Sequence, residues 1–393
     1  MMKKINLGVF GFGCVGTGLW YVLEQTNNEH TDIKKICIKN PDKDRSIDSS
    51  YFTTDKHELL DDSEIDVIVE LIDDADAAFD IVKEAMEKGK GVISANKKMI
   101  AENLQTLMDL QQKHNVPFLY EGSSCASIPI IRNLEEYYDN DMLSSVSGIF
   151  NGSTNFILTK MIDEGSDYNE VLKIAQQVGF AETDPSLDVE GIDAKYKLVI
   201  IIFHAFGLIS RPEEVFSYGI TRINPFDIKF AKNHGFNIKL IAKCQKIGDH
   251  IDAYVIPSFV DESSTLSFTK NEYNAVILES AFSENQLLYG KGAGDKPTGS
   301  AVLSDISALN YDYKYEYKKY VRFHEKLELT KELELKVYVR YSNGTTPNFD
   351  DFEHISEKYY GENDNYITGT IKLSSLENAS WKDEKDISVI AYN

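Results

Sequence analysis

Apolar and polar positions along this chain follow two periods, and their mixture changes near residue 144. Residues 3–10 (KKINLGVF) read as a strand running straight into GFGCVGTGLWYVLEQ, a glycine-rich turn and a helix. IKKICIKN (33–40) reads as a second strand. IDVIVELID (65–73) is a short apolar run with flanking acids, the pattern of a strand buried on both faces. DAAFDIVKEAMEKGK (76–90) is helical, GVISANKK (91–98) is a strand with a polar end, AENLQTLMDLQQKHN (101–115) is a helix and VPFLYEG (116–122) another strand. Strands alternating with helices predict an open α/β fold around a parallel sheet.

SSVSGIFNGSTNFILTKM (144–161) then runs from strand to turn to helix, and NIKLIAKCQKI, IDAYVIPSFV and NAVILESAF are further strands of a second, mixed α/β domain. KGAGDKPTGSAVLSDISAL (291–309) returns to a glycine-rich turn and a helix. The tail opens on YDYKYEYKKY and then reads as a strand (LELKVYVRY), a helix (FDDFEHISEKYY) and two strands (NYITGTIKL, ISVIAY). The expected architecture is an N-terminal Rossmann-type open α/β domain over 1–143, completed by 290–310; a second, mixed α/β domain over 144–289; and a small C-terminal α+β appendage over 311–393.

Composition narrows the partners. The chain has 393 residues and a net charge of −22. That charge argues against nucleic acid, which needs a basic footprint, and against an anionic membrane surface. The longest apolar stretch (LVIIIFHAFGLI, 198–209) is a buried-helix length, short of the ~20 residues that span a bilayer. The N-terminus lacks a cleavage site for a signal peptide. Cysteines 14, 37, 125 and 244 form neither a metal-ligand spacing nor a disulfide framework, which fits a reducing cytoplasm.

Four stretches carry chemistry. Gly11, Gly13 and Gly16 make G-x-G-x-x-G directly after a strand and opening a helix, the context of a dinucleotide turn whose helix N-terminus faces the pyrophosphate. After the second strand comes KNPDKDRS, with Lys39, Lys43 and Arg45 in place of the acid that reads a ribose hydroxyl. We therefore expect NADP before NAD, against the alternative of solvated surface cations. In ANKK (95–98), Lys97 falls at the C-terminal end of a strand, where open sheets bind ligands. It could reach a carboxylate, a cofactor phosphate or a reacting hydroxyl. AETDPSLDVEGIDAKYKL (181–198) packs Glu182, Asp184, Asp188, Glu190, Asp193, Lys195 and Lys197 just before the chain turns apolar. On a helix starting near Gly191, Asp193 and Lys197 share one face. An ordinary ion pair is the bland reading; a buried pair that holds a hydroxyl and moves its proton is the sharper one.

At this point the chain resembles homoserine dehydrogenase over roughly 1–310. The resemblance rests on GFGCVG, ANKK, EGSSCASIP (121–129), GIFNGSTNFIL (148–158), the 181–198 block and GAGDKPTGSAVLSD (292–305). It implies NAD(P)-dependent interconversion of L-homoserine and L-aspartate 4-semialdehyde, in threonine and methionine biosynthesis, by a cytoplasmic homodimer or homotetramer. It implies Lys197 as the acid/base lysine, with Lys97 near nicotinamide and substrate, and Asp193, Glu182, Asp188, Gly152 and Ser153 at the substrate. Gly11, Gly13, Val15, Gly16, Lys39 and Gly294 would hold the cofactor. Backbone carbonyls of Glu121, Ser124, Ala126 and Ile128 would hold a sodium ion. Ser124, Cys125 and Ser127 depart from the family's valine and two glycines in that loop. The tail is at most a shortened form of the regulatory ACT domain that ends many members, and lacks its glycine-rich strand–helix junction. Two rivals are a thioester-forming semialdehyde dehydrogenase using Cys125, and a silent NADPH-binding sensor; the retained proton-transfer residues count against the latter.

Overall fold

The computed structural model describes residues 4–26, 30–139 and 142–393, so Lys3 of the first expected strand lies outside the described residues. The chain divides into two units: Met1–Asn140 with Phe203–Ile209 and Lys291–Arg322, and Asp141–Ile202 with Ser210–Gly290 and Phe323–Asn393.

In the first unit β1 (Ile5–Phe10), β2 (Thr31–Cys37), β3 (Phe52–Thr53), β4 (Val67–Glu70), β5 (Gly91–Ser94) and β6 (Phe118–Leu119) form a parallel sheet in the order β3-β2-β1-β4-β5-β6. β4 and β5 are buried at every position, which explains why they read as unbroken apolar runs. The order reverses between β1 and β4, and ligands of such sheets bind beyond the strand ends at that switch point. Helix Asp295–Leu309 packs on helix Cys14–Thr26 so closely that a Cβ on Gly18 would collide with the carbonyl of Asp295, and one on Gly299 would stand 2.5 Å from the carbonyl carbon of Gly18. In the tyrosine-rich segment after this helix, Tyr315, Tyr317 and Lys319 are also buried here. Lys319 Nζ donates to the carbonyls of Leu134 (2.6 Å) and His204 (3.0 Å), and His204 lies between Glu135 (2.6 Å) and the Tyr120 hydroxyl (2.9 Å).

The second unit is built on one mixed sheet. Its strands are β7 (Leu143–Ile149), β8 (Phe216–Ser217), β9 (Phe236–Ile247), β10 (His250–Asp261), β11 (Tyr273–Ser280), β12 (Glu284–Lys291), β13 (Glu328–Thr330), β14 (Glu334–Ser342), β15 (Phe352–Tyr360), β16 (Asp364–Lys372) and β17 (Ile387–Tyr392). They run β12-β11-β7-β9-β10-β17-β14-β16-β15, with β8 and β13 also on β10. The C-terminal strands thus continue the sheet of the preceding domain, and Phe216, Tyr254 and Ile256 share a core with Val337, Ile367 and Trp381. One expectation fails here: FDDFEHISEKYY is not a helix but a short 3-10 turn followed by β15. Among the described residues no helix is long and apolar enough to cross a membrane.

The Gly18–Gly299 crossing yields a test. Adding a methyl group in Gly18→Ala forces two backbones apart and should destabilise the protein by about 1–3 kcal/mol, the usual cost of overpacking. Urea unfolding checks this; an unchanged midpoint would mean that the two helices separate freely.

Candidate functional site

β1 delivers the chain into the glycine turn. Gly11 has φ +95°, donates its N–H to the Cys37 carbonyl (3.0 Å), and has no room for a Cβ, which would stand 2.7 Å from the Leu71 carbonyl oxygen. Gly13 is exposed and a Cβ there would meet nothing within 4 Å, so the backbone borders open space. Gly16 is buried against the Gly11 carbonyl and Val15 is half-buried beside it, both in the first turn of helix Cys14–Thr26. This cradle fits a pyrophosphate, since the first N–H groups of a helix need acceptors. Gly294 occupies the cap position of helix Asp295–Leu309 in the same unit.

Beyond β2, Lys39 and Lys43 are exposed. Arg45 instead folds onto its own loop, donating to the carbonyls of Lys43 (2.7 Å) and Asn40 (2.8 Å) with its guanidinium over the Phe52 ring. Lys43 and Arg45 line a cleft of about 610 Å³ together with Asp42 and Asp44.

Lys97 is the first residue of helix Lys97–His114, directly after β5, and is half-buried. Asn96 caps that helix, accepting from Met99 N–H (2.9 Å) while its amide donates to the Ile72 carbonyl (3.0 Å). Beneath it Glu70 is fully buried, accepting from Ile72 N–H (2.7 Å) and the Ser94 hydroxyl (2.5 Å). Burial pushes its carboxyl up to about 7, against those two hydrogen bonds.

The 121–128 loop is buried at most positions, and Ala126 takes φ +44°. The Glu121 carboxylate accepts from Ile131 N–H (2.9 Å) and Arg132 N–H (2.8 Å), capping helix Ile130–Glu136. Arg132 in turn donates to Asp305 (3.0 Å), whose carboxyl is raised to about 7 by burial and by Glu121. Cys125 is fully buried, as a packing residue would be.

In the second unit, β7 leads through Phe150 and Asn151 into helix Gly152–Glu164. Helix Ile192–Phe206 brings Asp193 and Lys197, each 5 % exposed, onto that junction. Lys197 Nζ donates to Asp193 Oδ2 (2.9 Å) and to the Phe150 carbonyl (2.8 Å). The Asn151 amide donates to Asp193 Oδ2 (2.9 Å) and to Asp188 Oδ1 (2.6 Å), while its own Oδ1 accepts from Thr154 N–H. Burial first, then the neighbouring Asp193, raise the Asp188 carboxyl; Asn151, Ser153 and Lys197 oppose the rise. Ser153 donates to the Phe180 carbonyl (2.6 Å), and Gly152 is the first residue of its helix. Glu182 is exposed, and among the described residues this hydrogen-bonded chain does not extend to its carboxylate. The sequence reading missed Asn151. Its signal was an asparagine directly before a helix-opening Gly-Ser-Thr, a capping position.

Residues 129–307 match the family model for homoserine dehydrogenase, and 11–121 match the model for the homoserine dehydrogenase NAD binding domain. The chain is 36% identical over 317 residues to the homoserine dehydrogenase of Bacillus subtilis, covering 78% of this chain and 73% of that protein. It is 37% identical over 313 residues to that of Neisseria gonorrhoeae, covering 78% and 72%. Among solved structures, a homoserine dehydrogenase from Thiobacillus denitrificans superposes with a TM-score of 0.87 at 28% identity, covering 100% of this chain and 99% of that one. A hyperthermophilic archaeal homoserine dehydrogenase mutant in complex with NADPH superposes with a TM-score of 0.68 at 25% identity, covering 80% and 100%.

Glu70 makes stability depend on pH. Its folded value lies near 7 against an ordinary 4.5, so between these the native state keeps a proton that the unfolded state has lost. The stabilisation is complete below the ordinary value and is lost as pH rises through 7, with a slope of at most ~1.4 kcal/mol per pH unit for one proton. Glu70→Gln should flatten that part of the slope in urea titrations from pH 5 to 7.5. A variant slope equal to the wild type's would contradict the assignment.

Proposed function

The chain belongs to the homoserine dehydrogenase family, and from that premise we propose that it interconverts L-homoserine and L-aspartate 4-semialdehyde, with Lys197 as the proton carrier. The observation that carries this reading is the way Lys197 is held. A lysine ammonium has three donors. Asp193 and the Phe150 carbonyl take two, which leaves one for a substrate oxygen. In oxidation, neutral Lys197 takes the proton from the substrate hydroxyl; in reduction it returns that proton to the new alkoxide. Asp193 stabilises the charged amine, and Asn151 fixes Asp193 by spending both amide N–H groups on carboxylates. Asp188, with the exposed Glu182, supplies negative charge for the substrate ammonium, and Gly152 and Ser153 border the same junction.

The tight turn at Gly11 and the open backbone at Gly13, with Val15, Gly16 and Gly294 beside or near them, fit the dinucleotide. When bound, the nicotinamide supplies the hydride acceptor or donor. We assign NADP as the preferred form because Lys39 and Lys43 stand exposed beyond β2, where a 2′-phosphate needs cations. Lys97 serves the same reaction from the end of β5. The buried Ser124 hydroxyl has no partner among the described residues, which fits an alkali cation on the carbonyls of Glu121, Ser124, Ala126 and Ile128; sodium there would add local positive charge. We assign 1–143 with 290–310 to dinucleotide binding and 144–289 to the substrate and to self-association as a homodimer or homotetramer. Cytoplasmic residence follows from the biosynthetic role.

A spectrophotometric assay at 340 nm with L-homoserine should show reduction of NADP⁺ with a higher kcat/KM than of NAD⁺. Lys197→Ala should lower kcat by about 10²–10⁴-fold, the usual worth of a general acid/base; wild-type turnover would remove the role. Asn151→Ala should raise KM for homoserine and lower kcat while NADPH affinity stays unchanged. If the variant loses NADPH affinity instead, Asn151 does not act through the substrate acids.

A further inference from the structure

We propose that Glu70 is a positioning residue for the dehydrogenase reaction, closing a ring of hydrogen bonds that sets where Lys97 stands beside the glycine turn. The inference rests on the assignment of Lys97 to the reaction.

The ring can be followed atom by atom. Ile72 N–H donates to Glu70 Oε1 (2.7 Å) and the Ser94 hydroxyl donates to Glu70 Oε2 (2.5 Å). Asn96 N–H donates to Ser94 Oγ (3.1 Å), and the Asn96 amide donates back to the Ile72 carbonyl (3.0 Å). Four residues thereby join the segment after β4 to the segment after β5. Asn96 also caps the helix whose first residue is Lys97. Leu71, inside the ring, donates its N–H to the Phe10 carbonyl (2.8 Å), and its own carbonyl stands where Gly11 has no space for a side chain. The ends of three strands are therefore registered around one carboxylate.

Two features separate this from ordinary packing. The rest of β4 and β5 is apolar apart from Ser94, and a buried carboxyl is costly where an apolar side chain would pack. Only a side chain with two directed acceptor oxygens can hold both Ile72 N–H and the Ser94 hydroxyl. Glu70 also has 0 % exposure, so it acts on a ligand only through the residues it holds.

The test is a double-mutant cycle on the full-length enzyme. Wild type, Glu70→Ala, Lys97→Ala and the double variant are compared for kcat with homoserine and for NADPH affinity by fluorescence. Glu70→Ala should lower kcat by about 10–100-fold, the range seen when a supporting hydrogen bond or the placement of a reacting group is lost. NADPH affinity should change less than about three-fold, and in the Lys97→Ala background the same substitution should change kcat less than about three-fold, as expected of residues acting in series. Ser94→Ala opens the same ring with a smaller change and replaces Glu70→Ala if that variant fails to fold. Equal losses in both backgrounds, or a loss of NADPH affinity matching the loss of kcat, would overturn the inference while leaving the role of Lys97 intact. Wild-type turnover in Lys97→Ala alone would instead remove that role, and the inference with it.

Discussion

A helix that starts inside a protein leaves backbone N–H groups in need of oxygen, and the glycine turn, the Asn96–Lys97 corner and the Asn151 junction all stand at such a start. The solutions differ. At Gly13, just before helix Cys14–Thr26, the backbone borders open space, where a phosphate can supply the oxygen. At Asn96 and Asn151 a side-chain carbonyl supplies it. Asparagine is the informative choice. Asp or Ser would cap equally well, but neither carries an amide with two further donors. Asn96 spends that amide on the Ile72 carbonyl, and Asn151 spends it on Asp188 and Asp193. One residue type ends a strand, begins a helix and arranges the groups beside it.

The same economy of oxygen governs the buried cations. Lys197, Lys239 and Lys319 are all buried in a chain whose net charge is −22. Lys239 donates to Asn155 Oδ1 (2.9 Å) and the Thr269 carbonyl (2.6 Å), and Lys319 to two backbone carbonyls. Burial pushes both amines down to about 8. Of the three, Lys197 alone is hydrogen-bonded to a carboxylate. Neutral carbonyls suffice to tie a lysine into the fold; the charged partner of Lys197 suits the proton-carrying role proposed for it.

Much of this was legible in the sequence, for identifiable reasons. The parallel sheet showed itself because β4 and β5 are buried on both faces and are written in apolar residues. The Asp193–Lys197 pair showed itself because four residues is one helical turn. β15 did not: as an outer strand with eight of nine residues partly or fully exposed and two register shifts against β16, it has no burial period to read. Asn151 and Glu70 were missed for another reason. Their partners lie up to 42 residues away, and a cap or a strand-end acid looks the same whether or not a distant group completes it.

The Gly18–Gly299 contact also dictates when the dinucleotide unit can form. The face of helix Cys14–Thr26 that carries Gly18 is covered by a helix that starts 281 residues later in the chain. At about 5–20 residues per second, a ribosome takes roughly 15–60 s to make the intervening segment. Throughout that time the first β-α-β elements exist without their closing helix. The nascent chain must hold that uncovered helix face while the whole segment between the two helices is made.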